Sequence, residues 1–181
     1  MGNMSFLEDL YRSDIRGKLK ETFNYKNDLE IPRLLKTSLN IAFKSTDADG
    51  TFLKYVVDQL TTLAGQRAIL INARKSISTF KLREATPIAC AVTLRKKKMY
   101  EFLTRLVYVA LPRIRDFRGL SSKGFNQSGH YSFGIKEFTI FPEIDLDKAY
   151  KVLGMNINIV TSARTVEESK MLLLGLNFPL K

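Results

Sequence analysis

The fold is organised around the stretch ARKSISTFKLREATPIACAVTLRKKK, residues 73–98. In its second half Ile88, Cys90, Val92 and Leu94 recur at every second position. A period of two is typical of a β-strand with one buried face. The short apolar run at 68–71 predicts a partner strand, so residues 72–87 form a basic connection between two strands. Ordered loops of this length usually carry function.

Outward from this stretch, the sequence predicts nine elements in the order α-β-α-β-β-α-β-β-α. The first helix begins at a capping box formed by Ser5 and Glu8. The first strand has an apolar face and a helix over 52–63 follows it, ended by Gly65. The apolar face of that strand comprises Leu35, Thr37, Leu39, Ile41 and Phe43.

The second half of the chain predicts a helix over 99–111, two strands and a closing helix. The first of these strands alternates over 131–135, shifts its register near Glu137 and continues to Ile140. The second strand contains Ile157 and Ile159. Thr165 and Glu168 form another capping box, which begins the last helix.

This order contains a split βαββαβ unit of the kind found in RRM-like domains. We therefore predict one α+β domain over residues 1–181, a mostly antiparallel sheet with helices on one face. The other face is open and carries polar side chains: Lys36, Ser38, Asn40, Thr93 and Arg95. Ordinary strand packing remains an alternative explanation for Asn40 and Thr93.

The positive charge is concentrated in one third of the chain. Residues 74–136 hold fourteen Lys or Arg and three acids, a net charge of +11, which equals the formal net charge of all 181 residues. Such an asymmetry indicates a polyanionic partner, although a solvated basic face without a partner is the alternative. Two basic loops carry much of the charge, at 72–87 and 112–131.

The composition argues against several other classes of protein. No apolar run reaches the roughly 18 residues that a membrane span needs, so we expect no membrane partner. The only cysteine, Cys90, falls on the apolar phase of a strand, and the only histidine, His130, lies in a Gly-rich loop. No nucleotide-binding glycine motif is present, and we predict no enzyme, cofactor, metal or small-molecule substrate. Glu143, Asp145 and Asp147 cluster, but we interpret them as solvated or capping residues.

The basic loops favour RNA, because arginine and lysine bind phosphates while hydroxyls suit 2′-hydroxyls and exposed bases. In the second loop the candidate residues are Arg113, Arg115, Arg118 and Lys123. Each loop also holds one phenylalanine, Phe80 or Phe117. Either ring could contact RNA or anchor its loop against the core. The first loop has no acid except Glu84 to pair with, so we expect it to be mobile in the free protein.

Five segments of the chain resemble the bacterial-type large-subunit ribosomal protein L5 family. They are IPRLLKTSLNIAF (31–43), AGQRAILINARKSISTFKLREATPIACAVTLR (64–95), LPRIRDFRGLSSKGF (111–125), GIKEFTIFPEID (134–145) and GMNINIVTSARTVEE (154–168). The resemblance implies a structural protein of the large ribosomal subunit that binds 5S rRNA and large-subunit rRNA in the central protuberance. It further implies contacts with the P-site tRNA and with a small-subunit head protein.

The resemblance also assigns roles to individual residues. It places Asn40, Gln66 and Thr93 at the family's 5S-rRNA recognition positions. It places a second group in the loop that approaches tRNA: Arg74, Lys75, Ser76, Lys81 and Arg83. The family has a Gly-containing turn where this chain has AFKSTDADG (42–50), so the resemblance implies nothing about contacts at 44–50 or in the N-terminal helix.

Two alternatives to this function remain open at this stage, an enzyme acting on RNA and a free-standing RNA chaperone or regulator. The compartment is open as well. The chain favours residues with AT-rich codons and lacks the pattern of a transit peptide. The missing transit peptide fits either a bacterial protein or one made inside a mitochondrion, and the codon preference slightly favours a mitochondrial ribosome over a bacterial one. Whether that ribosome contains 5S rRNA does not follow from the sequence.

Overall fold

The computed structural model describes residues 6–44, 49–144 and 152–181. The described helices are α1 (Phe6–Leu10), α2 (Arg16–Phe23), α3 (Gly50–Ala64), α4 (Lys96–Arg105) and α5 (Val166–Gly175). The strands are β1 (Leu34–Ala42), β2 (Ile69–Asn72), β3 (Pro87–Leu94), β4 (Tyr131–Ile135) and β5 (Met155–Thr161). A π-helical turn, Tyr11–Ile15, joins α1 to α2. The predicted order of elements is therefore confirmed.

The five strands form one sheet in the order β2-β3-β1-β5-β4. β1 and β2 are connected through α3 but are not neighbours, since β3 lies between them. This is the split arrangement that the sequence predicts. β5 rather than β4 lies beside β1, and β4 is an additional edge strand. The α+β class with an antiparallel sheet is confirmed.

Residue contacts group the chain into two compact units. The first comprises Met1–Thr37, Arg95–Phe133 and Asn158–Lys181, and the second comprises Ser38–Leu94 and Gly134–Ile157. Each unit has its own buried apolar residues. In the first they include Leu7, Leu19, Phe102, Tyr131 and Leu172, and in the second Leu39, Ile41, Val56, Leu60 and Cys90. The expectation of a single domain over residues 1–181 stays a prediction.

The two-residue period of β1 is confirmed over its central residues. Thr37, Leu39 and Ile41 are buried, while the residues between them are partly exposed. Leu35 does not follow the predicted phase, because Leu34 is buried in its place and Leu35 is exposed. The polar face of the strand is therefore outward from Lys36 to Asn40.

α3 and β2 lie together in the second unit. α3 buries an apolar stripe and ends at Gly65, whose φ of 61° is the left-handed conformation that glycine adopts without strain. β2 pairs antiparallel with β3, Leu70 opposite Cys90. As the end strand of the sheet, β2 leaves Ile69, Leu70 and Ile71 exposed.

Two predicted elements need correction, and some predicted residues lie outside the described part of the chain. α4 begins at Lys96 rather than 99 and continues into a π-helical segment, Leu106–Ala110. Phe138–Ile140 is a 3₁₀ turn rather than a continued strand, because the Phe141 N–H bonds to the Phe138 carbonyl and closes the turn, and the Phe138 ring is buried. Ser5 of the first capping box and Asp145 and Asp147 of the acidic cluster lie outside the described residues.

The second capping box is confirmed in part. The Thr165 hydroxyl accepts a hydrogen bond from the Glu168 N–H at 3.3 Å. The Glu168 carboxylate accepts from the N–H of Arg164, 2.7 Å away, one residue earlier than the motif requires.

Candidate nucleic-acid interface

The segment between β2 and β3, residues 73–86, is here called the basic hairpin loop. Near its base, the Ala73 N–H donates to the Thr86 carbonyl at 2.8 Å, and the Ala85 N–H donates to the Ala73 carbonyl at 3.0 Å. Near its tip, Ile77 and Leu82 exchange two backbone hydrogen bonds of 2.9 and 3.1 Å. The structure shows a hairpin closed at both ends by its own backbone. That the loop is mobile in the free protein stays a prediction.

Four basic side chains project from the basic hairpin loop: Arg74, Lys75, Lys81 and Arg83. All four are exposed, and none forms an ion pair within the described residues. Bases elsewhere in the chain do find acids, as in the pair between Lys20 and Asp28 at 2.6 Å. Because none of the four is paired within the described residues, all four are available to an external anion. Such an anion would also reduce the repulsion among them.

Ser76, predicted to contact tRNA with these bases, has a structural role in the hairpin. Its hydroxyl oxygen accepts a hydrogen bond from the Glu84 N–H at 2.9 Å. Lys81 and Ala85 have positive φ angles of 53° and 63°, in the left-handed region, and the backbone turns tightly at both residues. The Ser76 hydroxyl proton is still free to donate to a ligand.

Three residues of the second unit were predicted to recognise 5S rRNA, and two of them, Gln66 and Thr93, are in direct contact. Gln66 follows the glycine that ends α3, and its side-chain amide donates to the Thr93 backbone carbonyl at 3.4 Å. Both residues are exposed. Asn40 lies on β1, the strand beside β3, and is half-buried.

Asn40 differs from Gln66 and Thr93, because it is partly buried. Its Oδ1 atom is buried and accepts no hydrogen bond from the described part of the protein. A buried polar atom without a partner costs folding free energy, roughly 1–3 kcal/mol. Since an atom buried from solvent is also out of reach of an external donor, packing remains an alternative to an RNA contact at Asn40.

The predicted residues of the first unit form a second exposed basic surface. Arg113, Arg115, Arg118 and Lys123 are exposed and unpaired in the part of the chain that the structure describes. The C-terminal segment fixes their loop, since the Leu120 N–H donates to the Pro179 carbonyl at 2.7 Å and the Lys181 N–H to the Leu120 carbonyl at 2.8 Å. Lys36 is half-buried, and Arg95 is exposed at the N-cap of α4.

Residue-level prediction missed the first turn of α4. Lys96, Lys97 and Lys98 follow Arg95 there, without an acid in the turn. Cations at a helix N-terminus oppose the helix dipole, although Lys97 lies 3.8 Å from the Glu101 carboxylate one turn later. The run of four bases was the available signal in the sequence, but its position at a helix start was not.

The two phenylalanines of the basic loops differ in the structure. Phe117 is half-buried, whereas Phe80 is exposed. The alternative that Phe80 anchors its loop against the core is therefore wrong.

The groups considered for catalysis occupy ordinary structural positions. Cys90 is fully buried, and burial raises the pKa of its thiol to about 11, so it behaves as a small apolar residue. The backbone N–H of His130 donates to the Asn126 side chain at 2.8 Å within its turn. Within the described residues, no group of three His, Cys, Asp or Glu could hold a metal ion. No described helix is long and apolar enough to cross a membrane.

Comparison with known proteins gives consistent matches over nearly the whole chain. Residues 27–83 match the family model described as Ribosomal protein L5, and residues 87–180 match the model for the C-terminus of the same ribosomal family. Curated relatives named large ribosomal subunit protein uL5 include those of Desulforapulum autotrophicum and Marinomonas sp., each 48% identical, and of Bordetella avium, 47% identical. Each alignment spans 178 residues, 98% of this chain and 99% of the relative.

These three relatives are bacterial, and they give no support to the mitochondrial compartment that composition slightly favoured.

Proposed function

Because the chain belongs to the ribosomal protein L5 family, it is a structural protein of the large ribosomal subunit, and we propose that its two basic surfaces and polar sheet face bind ribosomal RNA. Proteins of this family are not enzymes, so an enzyme acting on RNA is excluded. The observation that carries the proposal is the set of exposed bases that form no ion pair within the described residues. Such bases neutralise phosphates at no cost in broken internal pairs.

In this proposal the three contacts are divided among different surfaces. Asn40, Gln66 and Thr93 hydrogen-bond to 5S rRNA. The basic surface of the first unit binds large-subunit rRNA. The basic hairpin loop contacts the P-site tRNA. The resemblance to the family also supports a contact, across the subunit interface, with a protein of the small-subunit head. The ribosome of a bacterial cell is the location that the bacterial relatives support.

The outward phase of Asn40 on β1 supports the first of these contacts. Thr93 is exposed, and a threonine hydroxyl offers both a donor and an acceptor. Phosphate contacts position an RNA, whereas contacts of this uncharged kind distinguish one RNA from another. We therefore assign recognition of 5S rRNA to the sheet face and general affinity to the bases.

The test is titration of 5S rRNA with purified Asn40→Ala and Thr93→Val variants. Each variant should bind about 5- to 150-fold more weakly, since loss of one partner in a buried hydrogen bond costs about 1–3 kcal/mol. Thr62→Val is the matched control, because Thr62 is an exposed threonine of the same unit whose hydroxyl donates within its helix, to Asp58.

Thermal unfolding of the same samples separates binding from packing. Neither variant should lower the melting temperature, since the Asn40 amide accepts no described protein donor and the Thr93 side chain is exposed. If the variants melt earlier while affinity per folded molecule is unchanged, the assignment of the sheet face to RNA is wrong.

A further inference from the structure

Phe80 presents its ring to solvent at the tip of the basic hairpin loop, where 73% of the residue's surface is exposed. Ile77, three residues earlier, is 42% exposed. An apolar ring in water loses the free energy that burial would give it. Packing within the protein therefore does not explain why phenylalanine occupies this position.

The tip holds the ring in place through a preformed turn. Ser78–Phe80 is one 3₁₀ turn, closed by a hydrogen bond of 2.9 Å from the Lys81 N–H to the Ser78 carbonyl. The two backbone bonds between Ile77 and Leu82 fix the residues on either side. The ring is thus carried outward on a short turn closed by its own backbone, and a preformed turn lowers the entropy lost when the ring binds a flat partner.

The charges around the ring select the class of that partner. Lys81 follows Phe80 directly, and Arg83, Lys75 and Arg74 lie on the same hairpin without ion pairs among the described residues. A single flat apolar face surrounded by cations complements an unpaired nucleobase flanked by phosphates. Aromatic rings stack on bases in this way in proteins that bind single-stranded nucleic acid.

We propose that Phe80 stacks on an unpaired base of the RNA bound by the basic hairpin loop, while Lys81 and Arg83 bind the neighbouring phosphates. This inference rests on the proposed function of the loop as an RNA contact. It adds that the contact includes a base, so the loop distinguishes an RNA with an exposed base from a continuous duplex. In a regular duplex both faces of an internal base are already stacked.

The test measures binding of the full-length protein to a hairpin RNA whose unpaired loop carries one 2-aminopurine. A second RNA has an abasic site at that position. Four substitutions are compared with the wild type: Phe80→Ala, Phe80→Leu, Phe80→Tyr and a variant with Arg74, Lys75, Lys81 and Arg83 all replaced by alanine. Phe80 is exposed, so the single variants should melt at the wild-type temperature, which is checked first.

Stacking requires that Phe80→Ala weaken binding about 5- to 150-fold, as aromatic-to-alanine changes do at base-stacking sites. Phe80→Leu should bind as weakly as Phe80→Ala, and Phe80→Tyr should bind like the wild type. The 2-aminopurine fluorescence should be quenched by the wild type and Phe80→Tyr alone. The abasic RNA should bind the wild type and Phe80→Ala equally.

Three results would overturn the proposal. Wild-type affinity in Phe80→Leu would reduce the contact to a general apolar one. An equal loss of affinity on the abasic RNA would remove the base from the contact. Binding to phosphatidylcholine–phosphatidylserine vesicles that is lost in Phe80→Ala, with RNA affinity unchanged, would assign the ring to a membrane surface instead.

The four-alanine variant distinguishes failure of this proposal from failure of the proposed function. If it loses RNA affinity while Phe80→Ala does not, the loop binds RNA and only stacking is refuted. If neither variant changes the affinity, the loop is not an RNA contact, and both proposals fail for this loop.

Discussion

Gly124 lies in the second basic loop at a place where the chain has no room for a side chain. It ends the 3₁₀ turn Ser122–Gly124, beside Lys123. A Cβ atom at this position would collide with the backbone carbonyl oxygen of Ser132 and lie 2.8 Å from the Tyr131 ring. We therefore expect Gly124→Ala to destabilise the protein while leaving every charge of the loop unchanged.

The size of the effect follows from what surrounds the new methyl group. Tyr131 is fully buried, its ring centre lies 4.5 Å from that of Phe125, and its hydroxyl donates to the Ser121 carbonyl at 3.0 Å. Neither this ring nor the Ser132 backbone can move without breaking other contacts. Overpacking of this kind costs about 1–3 kcal/mol. For a protein of this size the melting temperature should fall by roughly 2–12 °C.

Circular dichroism during thermal and urea unfolding measures the change. Gly17→Ala is the matched control, because Gly17 lies within α2 and a Cβ there would meet no atom within 4 Å. That substitution should stabilise the protein by up to about 1 kcal/mol, since alanine favours helix over glycine. The steric argument fails if Gly124→Ala melts like the wild type, or if Gly17→Ala loses as much stability.

Two further predictions concern salt and pH. If roughly five phosphates are neutralised, affinity for RNA should fall by about two decades between about 0.1 and 0.4 M salt, as measured by filter binding. A nearly flat salt dependence would show that the basic surfaces do not bind phosphates. Burial raises the pKa of Cys90 to about 11, so from about pH 9 to about 11 the unfolded chain loses this proton and the folded chain keeps it, and the free energy of unfolding should fall as pH rises. Urea midpoints across that range should fall less steeply in Cys90→Ala, and an identical slope in both proteins would contradict the buried thiol.

The sequence was sufficient for the elements because their signals are local. The alternation around Leu39 in β1 and the glycine after α3 each reflect a short-range rule of strand or helix geometry, and both are confirmed. Phe138 shows where such rules end. Its apolar neighbours suggested a continued strand, but the Phe141 N–H bonds to the Phe138 carbonyl and closes a 3₁₀ turn, which the spacing of apolar residues does not indicate.

The candidate RNA-binding site was predicted less completely, because its details depend on backbone geometry that cannot be inferred from the residue types. Phe80 could equally have turned inward, and only the position of the 3₁₀ turn decides its exposure. The sequence around Ser76 did not indicate that its hydroxyl accepts a hydrogen bond from the Glu84 backbone N–H. Lys81 takes a left-handed conformation that is uncommon for a residue with a side chain, so the closed hairpin was not foreseen.

The exposed edge of the sheet has a consequence for the protein before assembly. β2 presents Ile69, Leu70 and Ile71 on an open strand, and such edges promote pairing between copies of a chain. Arg67 and Arg74 flank the strand and are exposed, so two molecules approaching edge to edge meet like charges. Salt screens that repulsion. We therefore expect unassembled copies to aggregate most readily at high salt, the same condition in which the proposed RNA contacts weaken, and we expect RNA bound beside β2 to oppose this aggregation.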